Sequence, residues 1–426
     1  MTASTDRPAR FRDVFGLVEF RALYAGSLLS WVGDYVARAA VTAMVFKHTG
    51  SVTASAAAFA ISFAPWLLGG SVLTAVAERY AYQRVMVWCD AARTILMVVL
   101  AVLGPETPLP LLLALLLGCA LFTPPFDAAR SATLPAILGP DRYVTAVALT
   151  TATTAPAQVG GYFLGSALGL YEPRLALAVN AATFAASGVL IWRWVKPREP
   201  ALHKERRTGL LRETADGFRV VFTNPALRAI VLLVFCGSLF AVVPEGLGAA
   251  WSDHRHDGLG RPLAQGLLMG AVPAGMVLGS VVVTRLLRPS WRPRMLLPLA
   301  LATPLALVPV IVDPPVIVAA GLAFVSGLAV GALVPVANGE FVQALPAAYR
   351  ARAFGVVSAG LQLLQGGAVL ATGALAQRLS LPLVVGAWSL AGVLLMIGMI
   401  VNWPTRAAFA EARERAQVRS PEPAAS

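Results

Sequence analysis

Leu28-Leu29-Ser30-Trp31-Val32-Gly33-Asp34-Tyr35-Val36-Ala37-Arg38-Ala39-Ala40 is the stretch from which the chain is best read. It lies inside an apolar run from about Phe20 to Phe46, long enough to cross a bilayer as a helix. Asp34 and Arg38 are four residues apart, so a helix puts them on one face, one turn apart. Either charge alone at the centre of a bilayer costs roughly 2.5–3.5 kcal/mol on an insertion scale. Ionisable residues held at that cost mark a site rather than an anchor.

The rest of the composition agrees with a membrane location. The 426 residues are 57% hydrophobic and 13% charged, with a mean hydropathy of +0.71. A soluble protein carries about 25% charge. The fold class expected is an all-α polytopic membrane protein. The polar stretch Met1 to Arg12 leads into a long apolar run with no small-residue cleavage motif, so no cleaved signal peptide is read. Cys89, Cys119 and Cys236 all fall in apolar runs and read as packing residues. Only three of the 34 basic residues are lysines, which with abundant Ala and Gly suits a GC-rich bacterial genome.

Apolar runs of spanning length recur at about 20–46, 52–77, 85–103, 108–130, 142–170 and 174–195. After a basic stretch they resume at about 226–250, 263–287, 294–312, 315–343, 351–377 and 382–403. Twelve transmembrane helices in two six-helix bundles are expected. The bundles cover 20–195 and 226–403, with a cytosolic N-terminus 1–19, a cytosolic linker 196–225 and a cytosolic tail 404–426. With both ends inside, 28 Lys and Arg residues fall on the inner side and 5 on the outer, Arg38 being left within the bilayer. The net charge of +12 is therefore a topological signal and not a nucleic-acid footprint. The location expected is a bacterial cytoplasmic (plasma) membrane, crossed many times, with a monomeric chain.

The two halves repeat each other. Arg21-Ala22-Leu23 matches Arg228-Ala229-Ile230, and Gly70-Ser71 matches Gly279-Ser280. Pro124 before Leu134-Pro135 matches Pro335 before Leu345-Pro346, and Gly160-Gly161 matches Gly366-Gly367. Four ordered matches at offsets of 206 to 211 indicate an internal duplication. Pseudo-symmetric halves are the plan of transporters that rock around a midplane site.

Several motifs carry a family likeness: Glu19-Phe20-Arg21, Gly33-Asp34, Ala77-Glu78-Arg79 with Arg84, and Asp90-Ala91-Ala92-Arg93. Ala129-Arg130-Ser131-Ala132-Thr133-Leu134-Pro135 and Pro156 before Gly160-Gly161 continue it. On these residues the chain resembles the Major Facilitator Superfamily, and within it the branch of macrolide-efflux and enterobactin-exporter proteins. The resemblance implies a two-bundle fold, alternating access and proton-driven export. Glu78 and Ala81 stand where that family usually has Asp and Gly, and three residues rather than two separate Pro156 from Gly160.

Three groups of residues are candidates for the chemistry. By the repeat offset Glu245, in Pro244-Glu245-Gly246, corresponds to Arg38. Asp34, Arg38 and Glu245 are therefore expected to converge as a proton-coupling set, two acids sharing one arginine. Glu78, Arg79, Arg84, Asp90 and Arg93 are expected as a cytoplasmic gate whose pairs break and reform. Asp127 and Arg130, at i and i+3, and Glu340, two residues after Asn338 in the equivalent stretch, extend that gate. Trp31, Tyr35, Phe63, Phe122 and Phe240, among other aromatic residues, are expected to line a cavity for an apolar or cationic ligand. Gln158, Gln362 and Gln365 offer it uncharged polar contacts. Asp253-His254-Arg255-His256-Asp257 has the residue types of a metal site, but Arg255 opposes a cation and no metal is expected.

No Gly-x4-Gly-Lys-Ser/Thr loop is present, which excludes an ATP-driven pump. Neither His-Glu-x-x-His nor Gly-x-Ser-x-Gly occurs, and no enzyme activity or cofactor is expected, the proton gradient serving as energy source. The expectation is a secondary active exporter of a small amphipathic drug, metabolite or siderophore. An importer of a small metabolite, or a transporter-like receptor without turnover, is the alternative.

Overall fold

The computed structural model describes residues 11–67, 80–198, 210–288, 290–346 and 349–418, and their regular structure is helical. In chain order the helices are α1 (Phe11–Phe15), α2 (Val18–Thr49), α3 (Val52–Ala60), α4 (Ala64–Leu67) and α5 (Tyr82–Leu103). Then come α6 (Leu109–Leu121), α7 (Thr123–Ile137), α8 (Pro140–Tyr171) and α9 (Pro173–Trp194). α10 (Leu210–Thr223), α11 (Pro225–Ala241), α12 (Val243–His254), α13 (Arg261–Arg285) and α14 (Arg292–Leu305) follow. The chain closes with α15 (Val316–Ala344), α16 (Arg350–Ala376), α17 (Leu381–Val401) and α18 (Arg406–Val418).

Local sequence explains where the helices start and break. Asn224 caps α11 by accepting from the N–H groups of Ala226 and Leu227, with Pro225 at the first helical position. Ser51 caps α3 by accepting from Ala54 at 3.1 Å. Pro124 and Pro125 have no N–H to give, so the helix is interrupted at Phe122, between α6 and α7. Pro244 does the same at Val242, between α11 and α12. In the equivalent of α6 and α7 in the second half, Pro335 leaves α15 unbroken. The two repeats have therefore diverged in where they bend.

Among the described residues, nine helical segments are long and apolar enough to cross a membrane. They correspond to nine of the twelve apolar runs. α2 and α8 have 32 residues each, about 48 Å at 1.5 Å per residue, so length does not exclude them. Their composition sets them apart. α2 carries Glu19, Arg21, Asp34, Arg38 and Lys47, and α8 carries Thr145, Thr150, Thr151, Thr153 and Thr154. The second apolar run is described only to Leu67, as α3, a 3₁₀ turn over Ile61–Phe63 and α4.

The chain divides into two compact units, Met1–His48 with Leu68–Arg206, and Thr49–Leu67 with Arg207–Ser426. In the first unit, Gly161, Gly165 and Gly169 form a stripe along α8 at four-residue spacing. They bring it against Val32, Tyr35, Val36 and Ala40 of α2 with no room for a side chain. α9 packs on α5, and Phe20, Leu23, Met86, Phe126 and Ile191 form a core nearby.

The second unit uses the same device twice. Gly275 and Gly279 of α13 meet the backbone of Phe324 and Leu328, while Gly327 and Gly331 of α15 meet Val272 and Met276. α3 belongs to this unit and packs on α16, where Thr53 Oγ1 donates to the Gly373 carbonyl at 3.2 Å. The stretch between the halves forms α10, whose Val221 is buried and whose Gly217 touches Arg352. The tail forms α18, with Ala412 and Ala416 buried.

Candidate functional site

Some of the charged residues of the first unit lie within α2, α5 and α7, and Phe184 of α9 packs against one of them. That one is Arg93, 2% exposed, whose Nη1 stands 3.7 Å from Oδ1 of the fully buried Asp90 one turn earlier on α5. Phe126 of α7 and Phe184 of α9 lie against the guanidinium, with ring centroids at 4.9 and 5.2 Å. The Arg93 Nη2 donates to the Phe122 carbonyl at 2.8 Å, at the interruption between α6 and α7. The proline pair thus opens the helix where a cation needs a backbone acceptor.

Asp34 on α2 lies within electrostatic reach of Arg93, Arg38 and Asp127. Asp34 and Asp90, on two different helices, both act on the Arg93 charge. Asp90 is enclosed by α9, where Ser187 stands beside the carboxylate and a Cβ on Gly188 would lie 3.3 Å from the Asp90 Cβ.

α2 also presents two aromatic residues. Trp31 lies under Arg130 of α7, with 5.1 Å from the guanidinium carbon to the ring, and Arg130 reaches Asp127 at 3.5 Å. Tyr35 lies under Arg38 at 5.4 Å and meets Tyr162 of α8 edge to face at 5.4 Å. The Gln158 amide reaches the Tyr162 hydroxyl at 3.2 Å. Trp31, Asp34, Tyr35, Arg38, Phe122, Asp127, Arg130 and Gln158 are all half-buried.

Asp90 and Arg93, expected with the gate, pair with each other within α5 of the first unit. Asp90 lies eight residues into α5, about 12 Å along it. Arg84, in the first turn of α5, is exposed, and Glu78 and Arg79 lie outside the described residues. Glu245 belongs to the second unit, in the first turn of α12, and is buried.

Phe240 is buried in that unit beside Trp388 and against Gly392. Phe63 packs on Phe59, and Gln362 and Gln365 are half-buried on α16. Glu340 pairs with Arg413 of α18. The residues that sequence reasoning passed over are Phe184, Ser187 and Gly188 of α9 and Tyr162 of α8. No pattern in the chain marks them, since their part depends on which helix faces which.

A second charged cluster lies outside the spans of the second unit. Arg255 donates to Asp257 at 2.9 Å and to both the carbonyl and the carboxylate of Asp313, at 2.7 and 2.8 Å. Asp257 accepts the Val316 N–H at 2.7 Å, at the start of α15, and Asp253 pairs with Arg261. Asp257 and Asp313 are the two non-glycine residues with positive φ among those described, 44° and 51°, a conformation Asp tolerates better than most. The Val316 N–H, with Arg255 adding, holds Asp257 below the ordinary value of 3.8. The bond to Asp257 raises Arg255 in turn. Acids arranged around arginines in this way clamp two loops.

The helices define a polytopic α-helical protein of membrane type, and its family match makes it a secondary transporter. The chain belongs to the Major Facilitator Superfamily, whose family profile matches residues 23–322. No curated protein matches it significantly. Among solved structures it is similar to a mutant of the nucleoside transporter NupG, at 13% identity, covering 90% of this chain and 99% of that one with a TM-score of 0.71. It is also similar to a POT family transporter in complex with 5-aminolevulinic acid, at 12% identity, 94% and 97% coverage and a TM-score of 0.71. A bacterial homolog of the human lysosomal transporter Spinster, inward-facing and unoccupied, is 14% identical, with 96% and 99% coverage and a TM-score of 0.65. Identities this low speak for a shared fold alone.

Proposed function

We propose that this protein is a proton-coupled exporter of a small amphipathic compound. In this reading it works by alternating access as a monomer of twelve transmembrane helices in two six-helix bundles. It sits in a bacterial plasma membrane with both termini in the cytoplasm. The observation that carries the reading is the buried Arg93–Asp90 ion pair at 3.7 Å, with the half-buried Asp34 of α2 also acting on the Arg93 charge. Protonating either acid removes a charge that Arg93 balances, and the remaining pair must redistribute. An ion pair with two arrangements is the kind of element that converts proton exchange into a change of conformation.

The lining beside it supplies the binding chemistry. Trp31, Tyr35 and Phe122 give apolar and aromatic surface, Gln158 gives an amide, and Asp127 with Arg130 gives charge near the α7 start. These suit an amphipathic ligand. Glu245 is the proposed acid of the second half, joining Asp34 and Arg38 in coupling. The resemblance to macrolide-efflux and enterobactin-exporter proteins supports export as the direction.

The test begins with a toxicity panel comparing a deletion strain with its parent. The compound to which the deletion is most sensitive then serves as the probe in proteoliposomes with an imposed pH gradient. Proton-driven antiport of that compound is the expected result. Movement of compound and protons in the same direction would assign an importer instead.

A further inference from the structure

We infer that the end of α9 forms a binding site for the headgroup of an anionic glycerophospholipid. α9 is one of the spanning helices, and its 22 residues extend about 33 Å, so its end at Trp194 falls at headgroup depth. A cavity of about 590 Å³ opens there between the end of α9, the start of α2 and α5. Its apolar wall includes Leu17, Val18 and Ile137, which suit a glycerol backbone and the first acyl carbons.

Among the described residues that line this cavity the charge is not balanced. Glu19 holds Arg198 at 2.6 Å and Lys196 at 3.8 Å, while Arg193 lies over the Trp194 ring at 5.8 Å. Three cations among them face one carboxylate, and Lys196 is 81% exposed. The end of a helix normally repels an anion through its unpaired carbonyls. Here Gln83 covers them, its amide donating to Trp192 at 3.0 Å and Val195 at 2.7 Å. Trp192, 65% exposed, and Trp194 are the interfacial residues expected at that level of a bilayer. A surplus of cations, a masked helix end and two tryptophans at one depth match a lipid phosphate and its glycerol.

Native mass spectrometry of the full chain in detergent, titrated with phosphatidylglycerol or phosphatidylcholine, tests this. Phosphatidylglycerol is expected to be retained at least fivefold more tightly. The Arg193→Ala/Lys196→Ala variant, altered only at exposed side chains, is expected to lose that preference. Arg294→Ala removes a cation from a similar stack on Trp291 in the other unit, 5.6 Å from its ring, and is expected to keep it. Equal retention of the two lipids, or equal loss in both variants, would overturn the assignment. Displacement of the lipid by millimolar glycerol 3-phosphate would overturn it too, assigning the cavity to a soluble phosphate ester.

Discussion

Arg93 and Asp90 form an ion pair at 3.7 Å with almost no access to solvent, 2% and 0% of their side chains being exposed. Removing one member of such a pair strands the other charge, at a cost of about 3–5 kcal/mol. Arg93→Gln is therefore expected to lower thermal stability in detergent sharply. Asp90→Asn combined with Arg93→Gln is expected to be milder than the sum of the two single changes. A double-mutant cycle on thermal unfolding measures this, and strict additivity would show that the two side chains are not coupled.

Neighbouring glycines in α8 should respond oppositely. A Cβ on Gly160 meets nothing within 4 Å, while one on Gly161 would lie 2.6 Å from the Tyr35 Cβ and 3.1 Å from the Val32 carbonyl. Gly160→Ala is expected to be neutral or slightly stabilising, as Ala is the better helix former by up to about 1 kcal/mol. Gly161→Ala is expected to push α2 and α8 apart and destabilise by about 1–3 kcal/mol, the usual cost of overpacking. Comparing unfolding temperatures of the two variants checks the register of this contact, and equal effects would refute it.

Much of this architecture is legible in the chain, and the limits have physical causes. Length and hydropathy mark the helices, and the prolines at 124, 125 and 244 mark the interruptions before α7 and α12. The i,i+4 spacing puts Asp34 and Arg38 on one face of α2. In the structure Arg93 of α5 also lies within electrostatic reach of Asp34, and Arg38 lies over Tyr35. Spacing along one helix reveals which residues share a face, but not which neighbour that face meets. The rule that singled out Asp34 applies equally to Asp90 and Arg93, charges at i and i+3 in an apolar helix. Phe184 and Gly188 carry no signal at all, because their part is set by how α9 lies on α5.

The loop clamp at Arg255 and Asp257 predicts a pH response. Asp257 is depressed below its unfolded value of 3.8, so its contribution is fully present above that value. It is lost as pH falls from 3.8 through the folded value, where the unfolded chain takes up the proton first. Hydrogen exchange at the start of α15 is expected to accelerate across that window and to change less in Asp257→Asn. A response of the same size in the variant would show that Asp257 is not the group responsible.

The most direct test of proton coupling through the Asp34–Arg93–Asp90 cluster is transport by Asp34→Asn in proteoliposomes, using the compound selected by the toxicity panel. The account predicts that gradient-driven accumulation is abolished, while exchange of that compound between two pools at equal concentration continues. Retention of full gradient-driven accumulation by Asp34→Asn would contradict it.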